Sequence, residues 1–284
     1  MSANQRPKKS PWINLDQRRG EAFRGLSEKY EPSTLDWLIG ISPEHKFVHF
    51  DNPKVASGTL KKTIAKTIDP AFDPLETNIH SKEGMPLVCP NYLNDADLEY
   101  FLTSAEIFRW VFVRHPTTRV LSAFLNKLVD ELPAQIQNAS IKVIDGKTKS
   151  QRVKALGYIE TRKAILKILG RDPDGWGSDI TFEDFIDCLE RVDLSKTNPH
   201  WRPQTMLIPF DILDIEVFRF ENLDEDLAHV LARIGGQKIH IERRYATEAS
   251  SKVRQYVTPG LEERIYALYK NDYEVLGYEP LLIS

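Results

Sequence analysis

Two short segments carry residue types suited to holding anions. The first, Pro53-Lys54-Val55-Ala56-Ser57-Gly58-Thr59-Leu60, follows a short β-rich run and precedes a helical pattern. Small residues there let backbone N–H groups and the hydroxyls of Ser57 and Thr59 approach a phosphate or sulfate. The start of the helix adds a partial positive charge and Lys54 a full one. The lysine precedes the small residues, whereas a GxxxxGK[ST] loop places it last, so a nucleotide kinase is the weaker reading. On shape alone the segment is equally an ordinary strand-to-helix turn with a solvated lysine. The second segment runs from Val113-Arg114-His115-Pro116 to Ser122 and leaves the carboxyl end of the apolar run Phe108–Val113. Ligands of open parallel sheets gather at that edge, so Arg114 would aim its guanidinium fork at the rim that holds the first loop. The competing reading makes Arg114 a structural ion pair and leaves Arg119 and Ser122 on a helix surface.

The elements that must position these residues follow from periodicity. Lys46–Phe50 reads as a strand, Thr59–Ile68 as the helix after it, and Phe108–Val113 as a buried central strand. Pro116 opens a helix through Leu128, with Val120, Leu121, Phe124, Leu125 and Leu128 at three- and four-residue steps. Asp95–Ala105 reads as helical, Glu76–His80 as a brief strand, and Ile215–Phe220 as a further one. Lys154–Leu169, Phe182–Leu189, Leu223–Ile234, Ala249–Tyr256 and Leu261–Tyr269 are the remaining helices. The reading is an α/β chain with a three-layer, short parallel central sheet and a helical C-terminal lobe. Residues 1–44 are expected to form an N-terminal arm with one or two short helices, and 45–284 the single domain.

Composition sets the outer limits. The 284 residues are 41% hydrophobic and 28% charged, within the globular range. A net charge of −3 gives no general pull toward nucleic acid, so an anion site must be local. Two cysteines, Cys89 and Cys188, make no disulfide framework and no CxxC pair. With no apolar run of spanning length, the expectation is a cytoplasmic protein, peripheral membrane contact being left open. Asp172, Asp174, Gly177 and Glu183 have the spacing of a calcium loop, but Trp176 occupies a ligand position. Thr181–Asp184 reads better as a helix cap, so no metal is expected.

Taken together the segments resemble a known family. The PKVASGTL unit is similar to the 5′-phosphosulfate loop of sulfotransferases, and FVRHPTTRVLSAFLNKL to their 3′-phosphate segment, in particular to carbohydrate sulfotransferases of the chondroitin 4-O and HNK-1 type. Thr181–Ile186, Asn198–Gln204 and Arg219–Leu223 resemble that family's FEEF, HWxP and KYExL stretches in the same order, and Leu268–Tyr278 its closing signature. Where the family carries an LCxPC stretch and a membrane anchor, this chain reads Met206-Leu207-Ile208-Pro209-Phe210 and shows no anchor, which suggests a soluble relative of bacterial type.

The resemblance implies transfer of a sulfuryl group from 3′-phosphoadenosine 5′-phosphosulfate (PAPS) to a hydroxyl of a carbohydrate or glycolipid acceptor, without a metal. Lys54, Val55, Ala56, Ser57, Gly58, Thr59 and Leu60 would meet the phosphosulfate, Lys54 also offsetting charge on the leaving phosphate. Arg114 and Ser122 would hold the 3′-phosphate. An attacking hydroxyl also needs a base, and His80 is the first candidate, because relatives place a catalytic Glu or His in that interval. His200, in the HWRPQ stretch, is second, with packing of Trp201 as its competing role. His49 and His115 read as packing or capping residues. Arg243-Arg244-Tyr245 and Ser250-Ser251 read as a solvated turn and a helix cap, and Leu132–Arg152 and Gly170–Ser178 as acceptor loops. A non-catalytic nucleotide-binding module of the same fold is the alternative. Oligomeric state and acceptor identity are left open.

Overall fold

The computed structural model describes residues 20–73, 85–140, 142, 145–174, 180–235 and 249–283. The described chain divides into two compact units that interleave in sequence. One comprises residues 1–114 and 204–244, the other 115–203 and 245–284.

The first unit holds the sheet. Helices α1 (Glu21–Lys29) and α2 (Pro32–Leu38) lead into β1 (Ile39–Ser42), which pairs antiparallel with β2 (Phe47–Phe50). After helices α3 (Ser57–Ile68) and α4 (Asp95–Thr103), β3 (Phe108–Val113) joins β2 in parallel. Farther along the chain β4 (Glu216–Arg219) joins β3 in parallel, giving the order β1-β2-β3-β4. The Phe108–Val113 run is buried along its whole length, as expected of a central strand covered on both faces. Side-chain alternation puts Phe47, Trp110, Phe112 and Phe218 on one face. They pack there with Leu60 and Ile64 of α3 and with Leu227 and Val230 of the helix following β4. Arg109, facing the other way, donates through Nε to Asp214 O at 2.9 Å and through Nη1 to Ser104 O at 2.8 Å, at the C-terminal end of α4.

Within the segment read as an arm, residues 20–44 carry two helices and pack into the first unit. Phe23, Leu26, Leu35 and Leu38 are buried, and β1 is the sheet's edge strand. Its four residues, one of them glycine, are too few for alternation to show in sequence.

The second unit is helical among its described residues. Helix α5 (Pro116–Phe124) passes into a wider π turn over Leu125–Asp130, so the helix expected through Leu128 changes its hydrogen-bonding pattern at Leu125. Helices α6 (Leu132–Ala139) and α7 (Gly146–Ile168) occupy most of the stretch taken for an acceptor loop, so that expectation is corrected. Asp145 and Thr148 form a reciprocal capping box that starts α7 well before Lys154. A second box, Thr181 with Asp184, starts α8 (Phe182–Glu190), bearing out the cap reading of that stretch.

A one-turn helix α9 (Gln204–Leu207) and α10 (Leu223–Arg233) belong to the first unit. Helices α11 (Ala249–Tyr256), α12 (Pro259–Leu268) and α13 (Lys270–Leu276) complete the second. Its core includes Phe124 against Phe182, Phe185 and Tyr256. No described helix is long and apolar enough to cross a membrane.

Candidate functional site

The loop between β2 and α3 breaks two local rules. Lys54 has φ +73° and Ala56 φ +61°, both in the left-handed region that non-glycine residues enter at a cost of roughly 1–2 kcal/mol each. Ala56 is also the residue preceding α3, and its side chain has no oxygen to cap the first turn, where Ser, Thr, Asp or Asn is preferred. The start of α3 therefore offers backbone N–H groups that no N-cap side chain covers. Lys54, Ser57, Gly58 and Thr59 are partly exposed around them, while Val55 and Leu60 point into the core. This is the arrangement an anion needs: a helix amino terminus, two hydroxyls and a lysine.

Below the loop the chain is fixed. Asp51 and Lys61 form a buried ion pair that ties the end of β2 to α3. Asn52, 1% exposed, donates from Nδ2 to Phe112 O at 3.0 Å and to Gln204 Oε1 at 2.8 Å.

Arg114 is brought to the same loop. It leaves the carboxyl end of β3, is 4% exposed, and donates from Nη1 to Lys54 O at 3.1 Å. Its guanidinium lies over the ring of Phe220, 4.2 Å from the centroid. The main chain of Arg114 is held at both ends by Gln204, whose Oε1 accepts from Arg114 N at 3.0 Å and whose Nε2 donates to Arg114 O at 2.8 Å. Lys54 and Arg114, from the two segments singled out in sequence, thus meet at one sheet edge. Sequence reasoning missed Asn52, Gln204 and Phe220. Gln204 stood in the quoted HWRPQ stretch, but attention there went to the histidine.

Two further candidates belong to the second unit. Ser122 is 2% exposed in the middle of α5 in the second unit. His200 belongs to that unit too, in a turn where Asn198 Oδ1 accepts from the His200 main chain at 3.0 Å and lies 2.7 Å from its Nδ1. The same turn is anchored from below. Arg119, 1% exposed, donates to Pro199 O at 2.9 Å and Arg202 O at 2.8 Å, and the Tyr269 hydroxyl donates to Trp201 O at 2.6 Å. Arg119 is therefore not on a helix surface. Burial pulls its pKa down to about 10 against the opposing charge of Asp272, so it stays protonated at neutral pH.

His49 is buried 4.3 Å from Trp110, and His115 packs edge-on to Tyr273 and Tyr278 with Nε2 2.9 Å from Glu279 O, so both are packing residues. Cys89 and Cys188 are both free and buried, and burial raises the Cys188 thiol to about 11 despite Arg191. His80, the strand Glu76–His80 and Arg243-Arg244-Tyr245 lie outside the described residues.

The candidate site is thus set in a mixed α/β fold, where an uncapped helix start and an arginine meet at one sheet edge. A family model described as the sulfotransferase family matches residues 37–279, and the chain belongs to that family. Among curated proteins it is 27% identical over 207 residues to carbohydrate sulfotransferase 14 of Danio rerio, covering 71% of this chain and 49% of that one. It is 23% identical over 278 residues to carbohydrate sulfotransferase 10 of Homo sapiens, covering 92% and 72%. Against carbohydrate sulfotransferase 11 of Rattus norvegicus the identity is 24% over 265 residues, covering 87% and 68%. The chain spans about half the length of the carbohydrate sulfotransferase 14 sequences it matches. No solved structure gives a significant match.

Proposed function

We infer that the protein transfers a sulfuryl group from PAPS to a hydroxyl of a carbohydrate acceptor, a glycolipid being one form such an acceptor could take. The observation that carries the reading is the Arg114–Lys54 contact at the strained, uncapped start of α3. A donor with two separated anionic groups needs two anion-handling features at one edge, and this chain spends backbone strain to build them. The carbohydrate acceptor is supported by the names of the relatives, all of them carbohydrate sulfotransferases.

In this reading the phosphosulfate lies against residues 54–60. The acceptor oxygen attacks sulfur in line, the new O–S bond forms as the bond from sulfur to the bridging phosphate oxygen breaks, and adenosine 3′,5′-bisphosphate leaves. Lys54 and the N–H groups of α3 stabilise the charge that builds on that phosphate. The hydroxyl proton passes to a base, for which His80 is the proposed residue and His200 the second. Arg114 is assigned the 3′-phosphate, and Ser122 is assigned with it on the family resemblance alone.

Thermal denaturation with adenosine 3′,5′-bisphosphate, and in parallel with ATP, tests the donor site. Ligand at a hundredfold excess over Kd stabilises by about 2.7 kcal/mol. The bisphosphate should raise the midpoint, ATP should do so less, and Arg114→Ala should cut the bisphosphate's shift to about that of adenosine 5′-phosphate. A larger shift with ATP would overturn the reading.

A further inference from the structure

Gln204 makes contacts that a neighbouring strand would otherwise make. Arg114 lies one residue beyond β3, whose last register pair is Val113 with Arg219. At that point Gln204, fully buried, satisfies both the N–H and the C=O of Arg114. Asn52 completes the arrangement, since its Nδ2 bridges Gln204 Oε1 and Phe112 O, the carbonyl two residues before Arg114. An amide side chain is the only neutral one that offers a donor and an acceptor in the plane this demands. With the main chain fixed by Gln204, the guanidinium plane set by Phe220 and its Nη1 tied to Lys54 O, Arg114 is confined to one direction.

We propose that Gln204, steadied by Asn52, is a positioning residue that sets how well the site tells 3′-phosphorylated from 3′-hydroxyl nucleotides. The proposal rests on the donor reading above, because it acts through Arg114 on the 3′-phosphate. A misplacement of a few tenths of an ångström costs a charge-assisted hydrogen bond part of its strength, and losing one such bond is worth about tenfold in affinity. Contacts to the nucleotide's 5′ end do not depend on Arg114's direction in the same degree.

The test measures binding of adenosine 3′,5′-bisphosphate and of adenosine 5′-phosphate to the parent, Gln204→Glu, Arg114→Ala and the double variant. Gln204→Glu preserves volume but presents oxygen to the Arg114 carbonyl. The expected result is a loss of about tenfold or more for the bisphosphate, a much smaller loss for the monophosphate, and no added loss when Arg114 is already alanine. Equal losses for both nucleotides, or a loss that persists in the Arg114→Ala background, would overturn the positioning role. Should Gln204→Glu not fold, Asn52→Ala in the same cycle replaces it, with the same outcomes. A parent that shows no preference for the bisphosphate would instead overturn the donor reading, so the two failures are distinguishable.

Discussion

Arg119 shows how a residue's role can hide in its sequence neighbourhood. Its position among the polar residues of Thr117–Ser122 suits an exposed helix face, yet it is buried and donates to two carbonyls of the Asn198–Arg202 turn. The information that places it lies some eighty residues away, in carbonyls that no side-chain pattern announces. Only the guanidinium fork can span both, and lysine, a point donor, cannot. Arg119→Met should therefore lower the unfolding free energy by about 3 kcal/mol or more, since it removes the donor to two part-buried carbonyls and a positive charge facing buried Asp272. Denaturant titration measures this. Arg119→Lys should recover less than half of the loss, and full recovery would show that charge alone, not the fork, supports the turn. By contrast the meeting of Arg114 with the loop of Lys54 was legible, because both residues follow the carboxyl ends of parallel strands that the apolar runs reveal.

At the scale of elements, the most informative feature is the loop entering α3. Strand β2 and helix α3 were readable from periodicity, and the loop between them from its small residues. Its dihedral angles were not readable, because Lys54 and Ala56 are not the residues a left-handed turn selects. Ala56→Gly should relieve that strain and raise stability by about 1 kcal/mol, with donor binding retained, because the N–H groups of Ser57, Gly58 and Thr59 keep their places. Thermal unfolding with and without adenosine 3′,5′-bisphosphate checks both halves. A fall in midpoint would mean that the methyl group's packing outweighs the strain. Helix α7 illustrates the opposite failure. Its first two turns, Gly146–Arg152, are polar and mostly exposed, so no apolar stripe marks them as helix, and the Asp145–Thr148 box that starts it departs from the usual Ser/Thr-x-x-Glu order.

The whole molecule departs furthest from its sequence reading in how the chain is shared out. A division into arm, domain and C-terminal lobe assumes contiguous segments. Among the described residues the two compact units instead exchange chain at 114–115 and 203–204, and the chain from 249 onward belongs again to the second unit, a property of long-range contacts that local patterns do not encode. What both units share is a set of carboxylates held below their usual range. In the first, the Lys29 ammonium lowers Asp211 against partial burial. In the second, burial pushes Asp184 and Glu131 up, but Arg171 and Thr181 pull Asp184 down, while Tyr158, Asn126 and two lysines do the same for Glu131.

A carboxylate whose folded pKa is depressed contributes stability that is complete above its unfolded value and is lost as pH falls toward the folded one, because the unfolded chain then binds more protons. The ordinary values here are 3.8 for aspartate and 4.5 for glutamate. Unfolding free energy should therefore be insensitive to these groups from pH 8 to about 6 and should decline from about pH 5 downward. Asp184→Asn isolates one contributor. It keeps a side chain able to cap α8 but loses the charge facing Arg171. It should be less stable than the parent at pH 7, and the gap should close on acidification, since the parent loses the same interaction by protonation. Urea titrations of both proteins between pH 3 and 7 decide the matter. Parallel curves would show that Arg171 gains nothing from the Asp184 charge beyond what solvent supplies, and that the acid sensitivity of this unit comes from other carboxylates such as Glu131 and Asp193.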